Sequence, residues 1–169
     1  MMKRILKYWG FQNKVEFKET LKFYMVHGCL VFNVISGCMI MDKYLFGVIL
    51  TSGPSMLPTL NIRNDLVFVD FFTTKFIRDP KKGEIVICQN PFKQEATLVK
   101  RVKYLGGETA EYIDPQNKKL TKVSIPKHHI WLEGDNPDES RDSRHAGPYS
   151  LELVNGIVRY KVWPNITKL

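Results

Sequence analysis

Three stretches of the chain hold residues whose types and spacing suit bond-breaking chemistry. The first is Thr51-Ser52-Gly53-Pro54-Ser55-Met56-Leu57-Pro58-Thr59. Pro54 fixes its own φ and drives Gly53 out of helical geometry, and Pro58 stops any helix that starts after Ser55. The result is a stiff, extended corner able to hold the Ser55 hydroxyl at a fixed angle as a nucleophile. A plain loop serine would fit the same residues.

The second stretch is Leu98-Val99-Lys100-Arg101-Val102-Lys103-Tyr104. Alternate residues of a strand share a face, so Leu98, Lys100, Val102 and Tyr104 stand on one side and Val99, Arg101 and Lys103 on the other. Lys100 thus falls among apolar neighbours, while Arg101 and Lys103 are expected to reach solvent. A buried lysine without a carboxylate partner loses its proton more easily, and a neutral amine near pH 7 is a general base. A lysine that snorkels to water or pairs with an acid is the other reading.

The third stretch runs from Glu133 to Arg144 and is dense in small polar and charged residues with Gly134 and Pro137. Its spacing does not fit a calcium-binding EF-hand loop. Asp142 and Arg144 are two apart and would share a face of an extended segment, where they can pair. A solvated loop fits as well. His128, His129 and His145 are available to a Ser–His–Asp arrangement with Asp135 or Asp142, but none stands in the sequence context of such a triad. Cys29, Cys38 and Cys88 lack zinc-ligand spacing and read as small buried apolar residues.

The elements that must position these groups follow from the hydropathy pattern. Residues 23–41 are nineteen positions without Asp, Glu, Lys or Arg. As a helix they span about 28 Å, close to the roughly 30 Å of a bilayer's hydrocarbon core. His27, Asn33, Ser36, Gly28 and Gly37 make the run imperfect, and a buried soluble helix is the competing reading. Residues 1–22 form a basic arm with six Lys/Arg against two Glu, which also has the character of a targeting signal. Positive charge stays on the side of synthesis or on the matrix side. The remainder of the chain is therefore expected across the membrane.

From residue 42 to 169 short apolar runs alternate with turn signals, which predicts a mostly β domain behind one N-terminal transmembrane helix. Strands are expected over 44–51, 65–71, 84–89, 97–105, 110–113, 129–133 and 156–163. Between them stand Asp79-Pro80, Gly106-Gly107, Asp114-Pro115 and Gly134-Asp135-Asn136-Pro137. No long amphipathic helix is expected there.

The formal net charge of +8 over 169 residues suggests nucleic acid at first sight. Half of the excess sits in the short arm, and no aromatic-basic stripe suited to stacking bases appears. Nucleic acid is not an expected partner.

Taken in order, Gly53-Pro54-Ser55-Met56-x-Pro58-Thr59, Gly83-Glu84-Ile85-Val86, Lys100-Arg101-Val102, and Gly134-Asp135-Asn136 with Ser140-x-Asp142-Ser143-Arg144 resemble the type I signal peptidases. The resemblance runs from about residue 44 to 164. Trp131-Leu132-Glu133 before Gly134 is similar to the mitochondrial inner membrane peptidase branch, with Asn136 and Arg144 nearer its subunit 1 type than subunit 2. A self-cleaving repressor of the LexA type also uses Ser and Lys. Here an apolar run stands where such a protein has its helix-turn-helix.

The resemblance implies a compact β domain of the LexA/signal peptidase type that cleaves sorting signals from precursor proteins without metal or cofactor. It implies Ser55 as nucleophile, Lys100 as general base, Ser140 as the residue orienting that lysine, and Asp142 with Arg144 as a structural ion pair. It further implies a heterodimer with a related subunit, a mitochondrial inner membrane anchor, and a catalytic domain facing the intermembrane space. A bacterial or secretory-pathway peptidase and a non-catalytic scaffold subunit are the alternatives. Some bacterial relatives place a serine two residues before the nucleophile to help hold the oxyanion. Gly53 stands there in this chain, so the oxyanion would rely on backbone N–H groups, that of Ser55 among them. Met56 and Leu57 are expected to face the bilayer surface.

Overall fold

The computed structural model describes residues 14–91 and 96–169. The chain divides into two compact units, Met1–Met41 and Asp42–Leu169. Helix α1 covers Lys14–Tyr44. Its part from Val15 to Met41 is long and apolar enough to cross a membrane. The helix begins before residue 23 because Val15, Phe17 and Leu21 are interleaved with Lys and Glu, which are good helix formers. The first thirteen residues of the basic arm lie outside the described residues. Polar side chains on α1 bond to the helix itself: Asn33 Nδ2 donates to the Cys29 carbonyl at 2.8 Å, and His27 Nδ1 lies 2.7 Å from the Phe23 carbonyl. Such bonds lower the cost of carrying polar groups on an apolar helix.

The second unit is built on an antiparallel sheet. Its strands are β1 (Phe46–Ser52), β2 (Arg63–Asp70), β3 (Ile85–Gln89), β4 (Thr97–Leu105), β7 (His129–Glu133), β8 (Tyr149–Ser150), β9 (Val154–Trp163) and β10 (Thr167–Lys168). They run in the order β1-β2-β9-β3-β4-β7-β8, with β10 on β9. Strands β5 (Thr109–Ile113) and β6 (Leu120–Ser124) form a separate hairpin. A four-residue helix α2 (Ser143–Ala146) completes the regular elements used below.

Central strand β3 shows why the fold forms. Its run Ile85-Val86-Ile87-Cys88 is buried on both faces, so it is apolar at every position rather than alternating. Ile85 and Ile87 pack with Met56, Leu60, Val67, Val69 and Val158. Val86 and Cys88 pack with Val102, Ile130, Leu132 and Ile157 on the other side. Burial pushes the Cys88 thiol up to about 12, which leaves it an apolar space-filler. Cys29 and Cys38, expected to be buried, are exposed on α1.

Two further expectations need correction. Met56 does not face outward: it is 3 % exposed and belongs to the core, because the turn it ends folds back over β2 and β3. Tyr104 leaves the face of Lys100, since a β-bulge between Val102 and Tyr104 shifts the register, and it packs against a third cluster of Ala110, Ile125 and Trp131. Strand β6 and the two-residue strands β8 and β10 fall outside the expected strands, and β6 is the longest of them. Its sequence Leu-Thr-Lys-Val-Ser is mostly exposed and lacks the apolar run that marked the other strands.

Candidate active site

Strand β1 delivers the chain to Gly53, whose φ of 119° is open to glycine but strained for other residues. A single 3₁₀ turn, Pro54–Met56, follows, with Ser55 at its centre. Gly53 N–H donates to the Ile62 carbonyl at 2.7 Å and Leu60 N–H to the Met56 carbonyl at 2.9 Å, closing the loop at both ends. Met56 and Leu60 pin it from below as core residues. The corner read from Pro54 and Pro58 is therefore real, but its centre is a helical turn rather than extended chain.

Lys100 lies on β4 opposite Val86, on the face of Leu98 and Val102. It is 4 % exposed. Its Nζ stands 2.7 Å from Ser55 Oγ. Among the described residues the amine makes no ion pair within 4 Å. Burial holds its pKa below the ordinary 10.5 of lysine; the positive charge of Arg144 lowers it further, while Asp142 and Asp135 act against that shift. The snorkelling alternative is excluded by this burial.

Asp142 organises the far wall. Its Oδ2 accepts from Ser140 Oγ at 2.6 Å, from Gly134 N–H at 2.9 Å and from Arg144 Nη2 at 2.6 Å; its Oδ1 accepts from Arg144 Nε at 2.9 Å. Burial alone would raise the carboxyl's pKa, but the bonds from Arg144, Ser140 and Gly134 outweigh it and hold it below the usual range. Asp142 also caps α2, accepting from Arg144 N–H. The Asp142–Arg144 pair thus forms at a helix cap, not along an extended segment. Ser140 is 3 % exposed, and its hydroxyl donates to Asp142 at 2.6 Å, with no hydrogen bond to Lys100 among the described residues.

Two groups of residues that position the site were not assigned from sequence. Asn136 holds the nucleophile's turn at two points: its backbone N–H donates to the Ser55 carbonyl at 3.0 Å and its Nδ2 to the Pro54 carbonyl at 3.1 Å. Gly134 makes room for that approach, because a Cβ there would collide with Ser140 Oγ and the Ser55 carbonyl oxygen. Arg101 does not reach solvent freely. It forms a bidentate pair with Asp135, Nε to Oδ1 at 2.8 Å and Nη2 to Oδ2 at 2.7 Å, and Thr59 Oγ1 donates to the same Oδ2 at 2.6 Å. That face of β4 is covered by the nucleophile's loop, which is why half-buried Arg101 differs from exposed Lys103. The run Gly134-Asp135-Asn136 was the available signal, but period and charge do not reveal contacts across 80 residues of chain.

A cleft of about 190 Å³ opens at the dyad, between β1 and the start of β4. Its lining is mixed: Ile49, Leu98 and Val99 are apolar, Thr51, Asn61 and Thr97 are polar, and Ser55 and Lys100 stand in its wall. His145 lines a different cavity, with Arg141 and Tyr149, and its Nδ1 is 4.0 Å from Asp142 Oδ1. Among the described residues no histidine bonds to Ser55, so the arrangement of a Ser–His–Asp triad is not formed.

The family model described as "Signal peptidase, peptidase S26" matches residues 18–121 and 113–163. The chain belongs to the signal peptidase family, peptidase S26. It is a signal-peptidase-type protease. Mitochondrial inner membrane protease subunit 1 of Schizosaccharomyces pombe is 41% identical over 125 residues, 73% of this chain and 77% of that one. Subunit 1 of Homo sapiens is 34% identical over 142 residues, 84% and 83% of the two chains. Subunit 2 of S. pombe is 34% identical over 127 residues, 75% and 69%. A signal peptidase I structure from Enterococcus faecalis overlays 47% of this peptidase and 97% of itself, with TM-score 0.41 and 20% identity, a likeness too partial to add weight.

Proposed function

We propose that this peptidase is a membrane-anchored serine endopeptidase that removes sorting signals from proteins delivered to the mitochondrial intermembrane space, with Ser55 as nucleophile and Lys100 as general base. The contact of 2.7 Å between the buried amine and the Ser55 hydroxyl carries the reading. Burial makes the amine give up its proton more readily, and in its neutral form it accepts the Oγ proton while Oγ bonds to the scissile carbonyl carbon. The resulting ammonium gives that proton to the leaving nitrogen as the C–N bond breaks. Water then enters, loses a proton to Lys100, and attacks the acyl ester. The returned proton releases Ser55.

The similarity to relatives named as mitochondrial inner membrane proteases supports the same membrane for this chain, and α1 is an apolar anchor of sufficient length. Their naming as subunits 1 and 2 supports a heterodimer with a related chain. Asp142 with Arg144 supports the dyad as a structural pair, and Ser140 acts through Asp142 rather than directly on the lysine.

Ser55→Ala and Lys100→Met in the full-length chain test the dyad, read as turnover of an internally quenched peptide in proteoliposomes. Both are expected to reduce cleavage to background while the protein stays folded. Appreciable turnover by Lys100→Met removes Lys100 as base. A chain that never acylates, even as wild type with its partner present, is a scaffold. Protease accessibility of the β domain before and after outer-membrane rupture tests the orientation.

A further inference from the structure

The Pro54 carbonyl and the Ser55 N–H belong to one peptide unit, and a peptide unit is rigid and planar. Whatever fixes the direction of that carbonyl fixes the direction of the N–H on its opposite side. The carbonyl accepts from Leu57 N–H at 3.2 Å, the bond of the turn itself, and from Asn136 Nδ2 at 3.1 Å. Asn136 is thereby the one side chain holding this plane from outside the turn among the described residues. The same residue's backbone N–H holds the next carbonyl, that of Ser55, at 3.0 Å. Two consecutive peptide planes around the nucleophile are therefore oriented by a single residue, brought close by Gly134.

We infer that Asn136 is a positioning residue for the oxyanion site: its side-chain amide aligns the Pro54–Ser55 peptide so that the Ser55 N–H points at the oxygen that becomes negative during acylation. This rests on the reading of Ser55 as nucleophile. The need for it follows from Gly53. Gly53, at φ 119°, cannot take a side chain without strain, so no hydroxyl is available from that position, and the backbone donor must be aligned by other means. A donor on the carbonyl side of an amide also polarises its N–H, which strengthens the bond it gives to an oxyanion. The Asn136 hydrogen bonds go to the Pro54 and Ser55 carbonyls and not to the dyad side chains; it acts through the peptide plane.

The test compares the full-length peptidase with its Asn136→Ala and Asn136→Asp variants in proteoliposomes. The aspartate keeps the side-chain volume but sets an acceptor against the Pro54 carbonyl, so it reports even where the alanine variant does not fold. Three quantities are read: kcat and KM for an internally quenched peptide, and affinity for the peptide aldehyde of the same acyl-side sequence. The aldehyde forms a tetrahedral oxyanion on Ser55. We expect kcat to fall about 10- to 100-fold with KM within about twofold, and aldehyde affinity to fall in proportion. Unchanged kcat in the folded variants overturns the inference. So does a lower kcat with aldehyde affinity preserved, which would mark a general structural role. If Ser55→Ala still turns over, the nucleophile reading has failed instead, and that outcome is separable because it is independent of Asn136.

Discussion

The two halves of the dyad are held by different means. Ser55 sits on a 3₁₀ turn whose carbonyls are tied to Asn136 and whose flanks are anchored by Met56 and Leu60. Lys100 sits within strand β4, opposite Val86 of β3, and its amine is buried with Ser55 Oγ as hydrogen-bond partner and no ion pair within 4 Å among the described residues. The nucleophile's half is controlled by hydrogen-bond geometry and the base's half by desolvation. A serine needs an angle and a reach, since its hydroxyl stays neutral until attack. A lysine needs a protonation state, and removing water is the direct way to shift it.

That contrast can be broken most severely at the dyad itself. Either Ser55→Ala or Lys100→Met is expected to cost about 10³–10⁴-fold or more in kcat, and the double variant no more than either alone, because the pair acts as one unit. Additive losses, measured by single-turnover kinetics, would separate the two residues. Lys100→Met should also leave thermal stability equal or higher, since an apolar side chain replaces a desolvated amine.

Gly134→Ala comes next. The added methyl meets Ser140 Oγ and the Ser55 carbonyl, so the nucleophile's turn must retreat. About 100-fold in kcat and about 1–3 kcal/mol in stability are expected, read by kinetics and by denaturant unfolding. A variant with wild-type kcat would mean that the approach of the third loop to the turn is not needed.

Asp142→Asn acts on both halves. It leaves Arg144 without its anionic partner and is expected to cost about 3 kcal/mol. The Asp142 carboxyl is held below its ordinary value, so its contribution to stability is full above pH 3.8 and is lost as pH falls through the lower folded value. Because the Asp142 charge favours protonated Lys100, its removal should move the acidic limb of the rate profile to lower pH, whereas Arg144→Gln should move it upward. Shifts of the same sign in both variants would contradict this assignment of charges.

The smallest effect is expected at His145→Ala, within about twofold in kcat, since this exposed ring lines a separate cavity. A loss of 100-fold there would revive a histidine mechanism.

Much of this was legible in the sequence, and for identifiable reasons. The strands that were foreseen carried apolar runs bounded by Gly, Pro and Asp, as at 84–89 and 129–133. Lys100 was legible because period-two alternation set it on the side of Leu98 and Val102. What stayed hidden was contact between distant segments. The burial of Met56, the pairing of Arg101 with Asp135 and Thr59, and the grip of Asn136 on Pro54 depend on how loops cross, and residue type alone is silent on that. The hydroxyl of Ser140 was placed near the site by resemblance, but its bond to Asp142 came from the packing of α2 against β7. Strand β6 was missed because its sequence is polar and exposed on one hairpin face.

The most direct measurement of the central claim is an NMR titration of the Lys100 Nζ, with ¹⁵N-lysine in detergent-solubilised full-length peptidase, set beside the pH dependence of kcat/KM. A buried base predicts that Lys100 loses its proton below pH 10.5 and that activity rises through the same midpoint. An amine that titrates at or above 10.5 while the enzyme cleaves at neutral pH would contradict it.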